Sequence, residues 1–215
     1  MLALAVMSLV AVLRRRRPRP ARAVIVSPRK SNVVAHGGGV RSVQSAELTL
    51  APQQLERLWV PENLANLART YWAFLSRVTL GLIRVVYGTR TRSVVLLGKP
   101  LTLLRFDAPE YSNDAEHASV RWRIRDGLLV ARAGRGSGYL ALDVTREPIG
   151  DDGRAKLLIE VEVANFYPSI AVGFSMPVYE MTQSAIHVLV THAFLRSLAN
   201  LQLAESKVGL PRAQL

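Results

Sequence analysis

Four histidines, sixteen carboxylates and no cysteine are the side chains from which this chain of 215 residues can build a reactive centre. The missing cysteine removes thiol catalysis, disulfide frameworks and Cys-type zinc sites together. His187 and His192 fall on one predicted helix, five residues apart. Histidines that share a metal on a helix want a spacing of three or four. Five places them roughly 140° apart, so no metal site is expected and no cofactor is assigned. Gly134-Arg-Gly-Ser-Gly138 has the composition of a phosphate loop. Such a loop needs a helix directly after it, whose first amides hold the anion. Tyr139-Leu-Ala-Leu-Asp-Val alternates as a strand instead, which makes the glycines a hairpin turn.

Arg121, Arg123 and Arg125 form a basic row on one strand face. A nucleic-acid-binding sheet needs exposed aromatics beside those charges, and Trp122 points to the opposite face. Glu160 and Glu162 alternate on another strand, and ordinary cross-strand pairing accounts for both sets. Asp107, Glu110, Asp114, Glu116 and His117 gather in a loop region, the raw material of acid–base chemistry, with nothing in the sequence to make them converge. His187 lies in line with Glu180, Gln183, Ser184 and Thr191. A solvated helix face is the plainer reading of that stripe. The other reading is that it lines a pocket.

The elements that must position these residues follow from periodicity. Ser45–Leu50 alternates as a half-buried strand, and Pro52 opens a short helix over Gln53–Trp59. Pro61 starts a longer helical run from Glu62 to about Tyr87, apolar around most of its circumference, as one core helix or two with a bend near Gly81. Strands are expected at Ser93–Leu97, Leu101–Phe106, Ala118–Arg125, Leu128–Ala133, Tyr139–Arg146 and Lys156–Ala164. Asp126-Gly127 is a strong hairpin signal. A helix from about Val178 to Leu201 closes the chain. The expected fold class is α+β, with a curved antiparallel sheet of about six or seven strands packed on a long C-terminal helix, and an apolar helical segment after the first strand.

The formal charge of +12 points first to nucleic acid or an anionic surface. Its distribution says otherwise. Residues 1–41 hold nine Arg or Lys and no acid, which leaves about +3 for the rest, an ordinary surface. No nucleic-acid partner is favoured. Residues 2–13 are an apolar run roughly 18 Å long as a helix, short of a hydrocarbon core of about 30 Å. Arg14, Arg15, Arg16 and Arg17 follow it. Four readings are open: a disordered extension, a membrane anchor whose arginines meet anionic headgroups, an organellar transit peptide, and a basic arm. The expected organisation is an extension with a glycine linker over 1–39, one α+β domain over 40–203, and a frayed tail over 204–215. A cytoplasmic location follows, with membrane association or organellar import as alternatives.

The order strand, helices, meander, terminal helix resembles the helix-grip superfamily of START-like and polyketide-cyclase-like proteins. The residues that carry it are SAELTLAPQQLERLW (Ser45–Trp59), GYLALDVTRE (Gly138–Glu147), AKLLIEVEVANF (Ala155–Phe166) and SAIHVLVTHAFLRSLANL (Ser184–Leu201). The resemblance implies an apolar small molecule or lipid held between sheet and helix, with Trp122, Tyr139, Phe166, Tyr167, Gln183, His187 and Thr191 as pocket residues. The long apolar run at Leu64–Tyr87 departs from the short helix pair expected there. Three functions stand against one another. They are a noncatalytic binding domain, a small cyclase-, aromatase- or hydrolase-like enzyme using His187 and a carboxylate, and a membrane-tethered interaction protein anchored by residues 1–30.

Overall fold

The computed structural model describes residues 20–26, 32–34, 39–97, 101–167 and 185–203. Ten strands lie among them: β1 (Arg22–Ile25), β2 (Asn32–Val34), β3 (Val40–Leu50), β4 (Ile83–Tyr87), β5 (Thr91–Leu96), β6 (Thr102–Asp107), β7 (Glu110–Asn113), β8 (His117–Asp126), β9 (Tyr139–Glu147) and β10 (Ala155–Phe166). Helices α1 (Pro52–Leu58) and α2 (Pro61–Val78) follow β3, and α3 (Ala185–Ser197) comes after β10. The strands form one antiparallel sheet in the order β1-β3-β10-β9-β8-β6-β5-β4, with β2 on β3 and β7 on β8. This is the α+β architecture expected, with more strands than expected.

Register fixes which side chains face the helices. On β8, Val120, Trp122 and Ile124 are buried, and Arg121, Arg123 and Arg125 are exposed. On β9, Leu140, Leu142 and Val144 take the same inner face. Period-two alternation along paired strands forces this arrangement, because a shift of one residue would turn every apolar side chain to water. An aromatic chain then ties the helices to the sheet. Trp72 packs edge-on against Trp122 (5.2 Å) and tilted against Phe106 (5.4 Å), while Tyr71 meets Phe194 of α3 edge-on at 5.2 Å.

Three expectations need correction, and a fourth is described only in part. The apolar run after Pro61 is a helix only to Val78, and Ile83–Tyr87 is a strand. Between them Leu80 (φ 52°) and Gly81 (φ 80°) adopt left-handed backbone, and Gly81 N–H donates to Ser76 O at 2.8 Å. That is a Schellman end with leucine where glycine is usual and Gly81, the expected bend, one residue later. Leu128–Ala133 is not a strand. It folds as a turn leading into a 3-10 turn at Arg132–Gly134, and β9 pairs with β8 directly. The sheet does not begin at Val40 either: Arg22–Ile25 pairs with Thr49–Ala46, and Ala21 is buried in the core. Finally, of the closing helix only Ala185–Ser197 and the 3-10 turn Leu198–Asn200 are described, and Val178–Ser184 lies outside the described residues.

Candidate functional site

The inner face of the sheet and the two longer helices border an open-mouthed cavity of about 380 Å³. Its walls come from β3, β5, β6, β8, β9 and β10 on one side and from α2 and α3 on the other. Tyr71, Trp72 and Leu75 supply the α2 wall, and Val190 the α3 wall. Phe106, Ile124, Leu140, Val163 and Phe166 are among the residues of the sheet wall. The volume sits in the range of about 300–1,000 Å³ typical of small-molecule pockets. A second apolar hollow of about 80 Å³, near Trp59 and Leu64, is far smaller.

Among the described residues, three side chains with polar atoms line the larger cavity: Ser42, Tyr71 and Trp72. Ser42 Oγ and Trp72 Nε1 are buried and make no hydrogen bond among the described residues. A buried donor without a partner costs about 1–3 kcal/mol. Burial pushes the Tyr71 phenol up to about 12, with the Thr191 hydroxyl pulling the other way. Tyr71 therefore presents a neutral O–H at any physiological pH. No carboxylate, imidazole or ammonium group lines this cavity among the described residues. The described wall can hold apolar surface, and among the described residues it brings no carboxylate–imidazole pair together.

Beside the cavity, His192 of α3 hydrogen-bonds Gln44 of β3 at 2.6 Å, with the amide oxygen accepting. Gln44 is fully buried on the inner face, so this bond fixes the helix to the sheet. Burial first, and then the Arg196 charge one turn away, hold the His192 imidazole below its ordinary range.

The structure brings together some of the expected pocket residues and separates others. Phe166 lines the cavity. Trp122 is buried one ring behind it, against Trp72. Thr191 is fully buried beside Tyr71, so at that position the polar stripe of α3 faces inward and not to solvent. Tyr167 packs on the glycines instead: a Cβ on Gly134 would lie 2.3 Å from its Cβ, and one on Gly39 would lie 3.2 Å from its ring. Gly134 is thus a packing requirement. Tyr139 sits on the outer face, where its hydroxyl donates to Glu162 (3.1 Å) and Arg121 stacks on its ring (4.4 Å). The pleat puts Tyr139 and Leu140 on opposite faces, and Leu140 is the one inside. Gln183 lies outside the described residues, as do Arg14, Arg15, Arg16 and Arg17 and the side chain of His187.

Of the acidic groups singled out above, Asp114, Glu160 and Glu162 do structural work. Asp114 accepts from the backbone N–H of Glu116 (2.9 Å) and His117 (2.7 Å), which caps the turn between β7 and β8 and holds its carboxyl below the usual range. On the outer face Glu162 pairs with Arg41 at 2.7 Å and Glu160 accepts from Ser45 at 2.8 Å. Asp143 shares that face. Burial and the two glutamates raise its carboxyl, and Arg121 opposes them. Sequence reasoning missed Ser42, Tyr71 and Trp72 as cavity residues. Tyr71 and Trp72 were legible only as core, and Ser42 preceded the strand as first bounded.

These features define a class: an α+β protein whose antiparallel sheet and C-terminal helix surround an apolar cavity. No family model matches the chain, and no curated protein sequence does. Solved structures resemble it. Ara h 8.0201 is 14% identical over 75% of this chain and 99% of its own, with a TM-score of 0.33. The Mll3558 protein from Rhizobium loti is 14% identical over 71% and 97%, at 0.32. A conserved protein from Geobacillus kaustophilus is 11% identical over 77% and 99%, at 0.36. Likenesses of this size carry no argument about function. Among the described residues no helix is long and apolar enough to cross a membrane.

Proposed function

We propose that this protein is a helix-grip binding domain, which holds an apolar small molecule or lipid in the cavity between the sheet and helices α2 and α3. The observation that carries the reading is the cavity of about 380 Å³ walled by apolar side chains with Ser42, Tyr71 and Trp72 as its polar points. Wall chemistry supports it: the pocket is open to solvent, and an apolar wall holds water poorly, so an apolar molecule displaces that water readily.

The wall sets the ligand's chemistry. Ser42 Oγ and Trp72 Nε1 are buried away from the pocket surface, Tyr71 stays protonated, and the rest of the described lining is apolar. A neutral, largely apolar ligand matches it. A carboxylate would enter without a cation in the wall to pair with. The enzyme reading needs two converging proton-transfer groups, and the described wall supplies none of the usual ones. Native mass spectrometry of freshly purified protein, with solvent extraction of the same sample, tests the proposal. A reproducible adduct of small-molecule mass is expected. Protein that is empty from every expression host, with a core shown to be collapsed, overturns it.

A further inference from the structure

We infer that one end of the sheet is a docking tip for an anionic lipid bilayer, formed by leucines that protrude from three neighbouring turns. Leu80 is 91% exposed, Leu97 69%, Leu128 58%, Leu82 51% and Leu101 43%. Single exposed leucines are ordinary, but five gathered at one end are not. The backbone gathers them. Leu97 N–H donates to Leu82 O at 2.9 Å, Leu96 N–H to Leu101 O at 2.9 Å, and Leu128 N–H to Thr102 O at 3.1 Å. The turn after α2, the facing ends of β5 and β6 at Leu97 and Leu101, and the turn after β8 therefore lie side by side.

A second observation is independent of exposure. Leu80 and Leu97, the two most exposed, both take left-handed backbone, at φ 52° and 56°. That region suits glycine or asparagine and disfavours leucine. Nothing in the described fold repays placing a large apolar side chain at either position, since neither is buried. Strained backbone that thrusts an apolar side chain into solvent points to a partner outside the chain.

Charge identifies the partner. Five exposed arginines flank the leucines: Arg77, Arg84, Arg125, Arg132 and Arg135. Asp126 is the one acid in residues 76–84, 101–105 and 124–136, and it pairs with Arg105 at 3.2 Å and with Arg125 at 3.8 Å, which leaves Arg77, Arg84, Arg132 and Arg135 beyond its reach. The opposite end of the sheet, the β9–β10 turn, carries Ile149 with Asp151 and Asp152 and lacks this pattern. Apolar knobs within a ring of arginine are the composition that inserts at a bilayer surface, where anionic headgroups attract the cations and the acyl boundary takes the side chains. Knobs on separate turns fit a fluid surface better than the closely packed flat patch of a standard protein interface. The tip also shares walls with the cavity, since Ile83, Leu103 and Leu129 line it. If the proposed binding function holds, a ligand can pass between bilayer and cavity at this end. Docking itself does not require that function.

The chain has no cysteine, so single cysteines at Leu80→Cys, Leu97→Cys and Ile149→Cys in the full-length protein can each carry an environment-sensitive nitrobenzoxadiazole label. With vesicles of about 3:1 phosphatidylcholine to phosphatidylserine, the labels at 80 and 97 should brighten several-fold and shift to the blue, and the label at 149 should not. Pure phosphatidylcholine vesicles should bind about tenfold more weakly. A Leu80→Ser/Leu97→Ser/Leu128→Ser variant with unchanged thermal unfolding should lose vesicle binding about tenfold. The inference is overturned if the protein sediments with vesicles while both tip labels stay unchanged, for then another segment binds. It is equally overturned if the triple variant binds as well as the parent, or if sedimentation velocity shows the leucines buried between two copies. Extraction of a cavity ligand reads none of these signals, so failure here leaves the binding function standing, and the converse.

Discussion

Replacing Val163 by phenylalanine separates a hollow protein from a filled one. Val163 is half-buried on β10 and lines the cavity. Phenylalanine adds four carbons. If they enter empty space, burial at about 0.8 kcal/mol per carbon contributes up to about 3 kcal/mol. If the space is already packed by protein, the same change forces strain and costs about 1–3 kcal/mol. The two cases differ in sign. For a chain of this size 1 kcal/mol moves Tm by about 2–4 °C, so Val163→Phe should raise Tm by several degrees or leave it level. Uptake of a neutral apolar probe should fall at least about tenfold in the same variant, because the added ring occupies the ligand's volume. Differential scanning calorimetry and a probe titration on one preparation provide both readings. A lowered Tm with undiminished probe binding would refute the reasoning, since it would mean that Val163 faces packed protein and that the probe binds elsewhere.

Other outcomes follow from single residues. Ser42→Ala removes a buried hydroxyl that makes no hydrogen bond among the described residues, so it should raise stability by about 1 kcal/mol by denaturant unfolding. His192 has a folded pKa below its ordinary value, so the unfolded chain takes up its proton first. Stability is then full above about pH 6.5 and is lost as pH falls through the folded pKa. His192→Gln should flatten that acid limb in a pH series of thermal melts. Gly127 has φ 145° and a Cβ there would lie 2.2 Å from Leu103 O, so Gly127→Ala should cost about 2 kcal/mol or more.

Most of the sheet was legible because burial on one face imposes period two. Val120, Trp122 and Ile124 could not have been placed otherwise. The same rule assigns Tyr139 to the outer face once Leu140 is inside, so its placement in the pocket was a failure to carry parity from one strand to the next. Two features were not legible. The run from Leu64 to Tyr87 is apolar in both its helical and its strand part, so composition does not change at the boundary. The boundary itself is set by a left-handed leucine, Leu80, which no turn preference would nominate. Strand β1, Arg22–Ile25, was hidden by its setting. Ala23 and Ile25 pack against the core, but four residues are too few for periodicity to outweigh a basic, proline-broken neighbourhood. The site was half-legible for a related reason. Sequence shows which residues are apolar, whereas a cavity depends on how far two layers stand apart, which no local pattern encodes.

The central claim is that the space between sheet and helices accepts an apolar molecule. Fluorescence titration of the full-length protein with N-phenyl-1-naphthylamine, a neutral probe, tests it most directly. With about 17 heavy atoms at about 0.3 kcal/mol each, binding near 5 kcal/mol and a Kd of about 0.1 mM are expected. A saturable 1:1 isotherm that is lost in Val163→Phe is the predicted result. A signal that rises without saturation, or one that is identical in the parent and in Val163→Phe, would contradict the account.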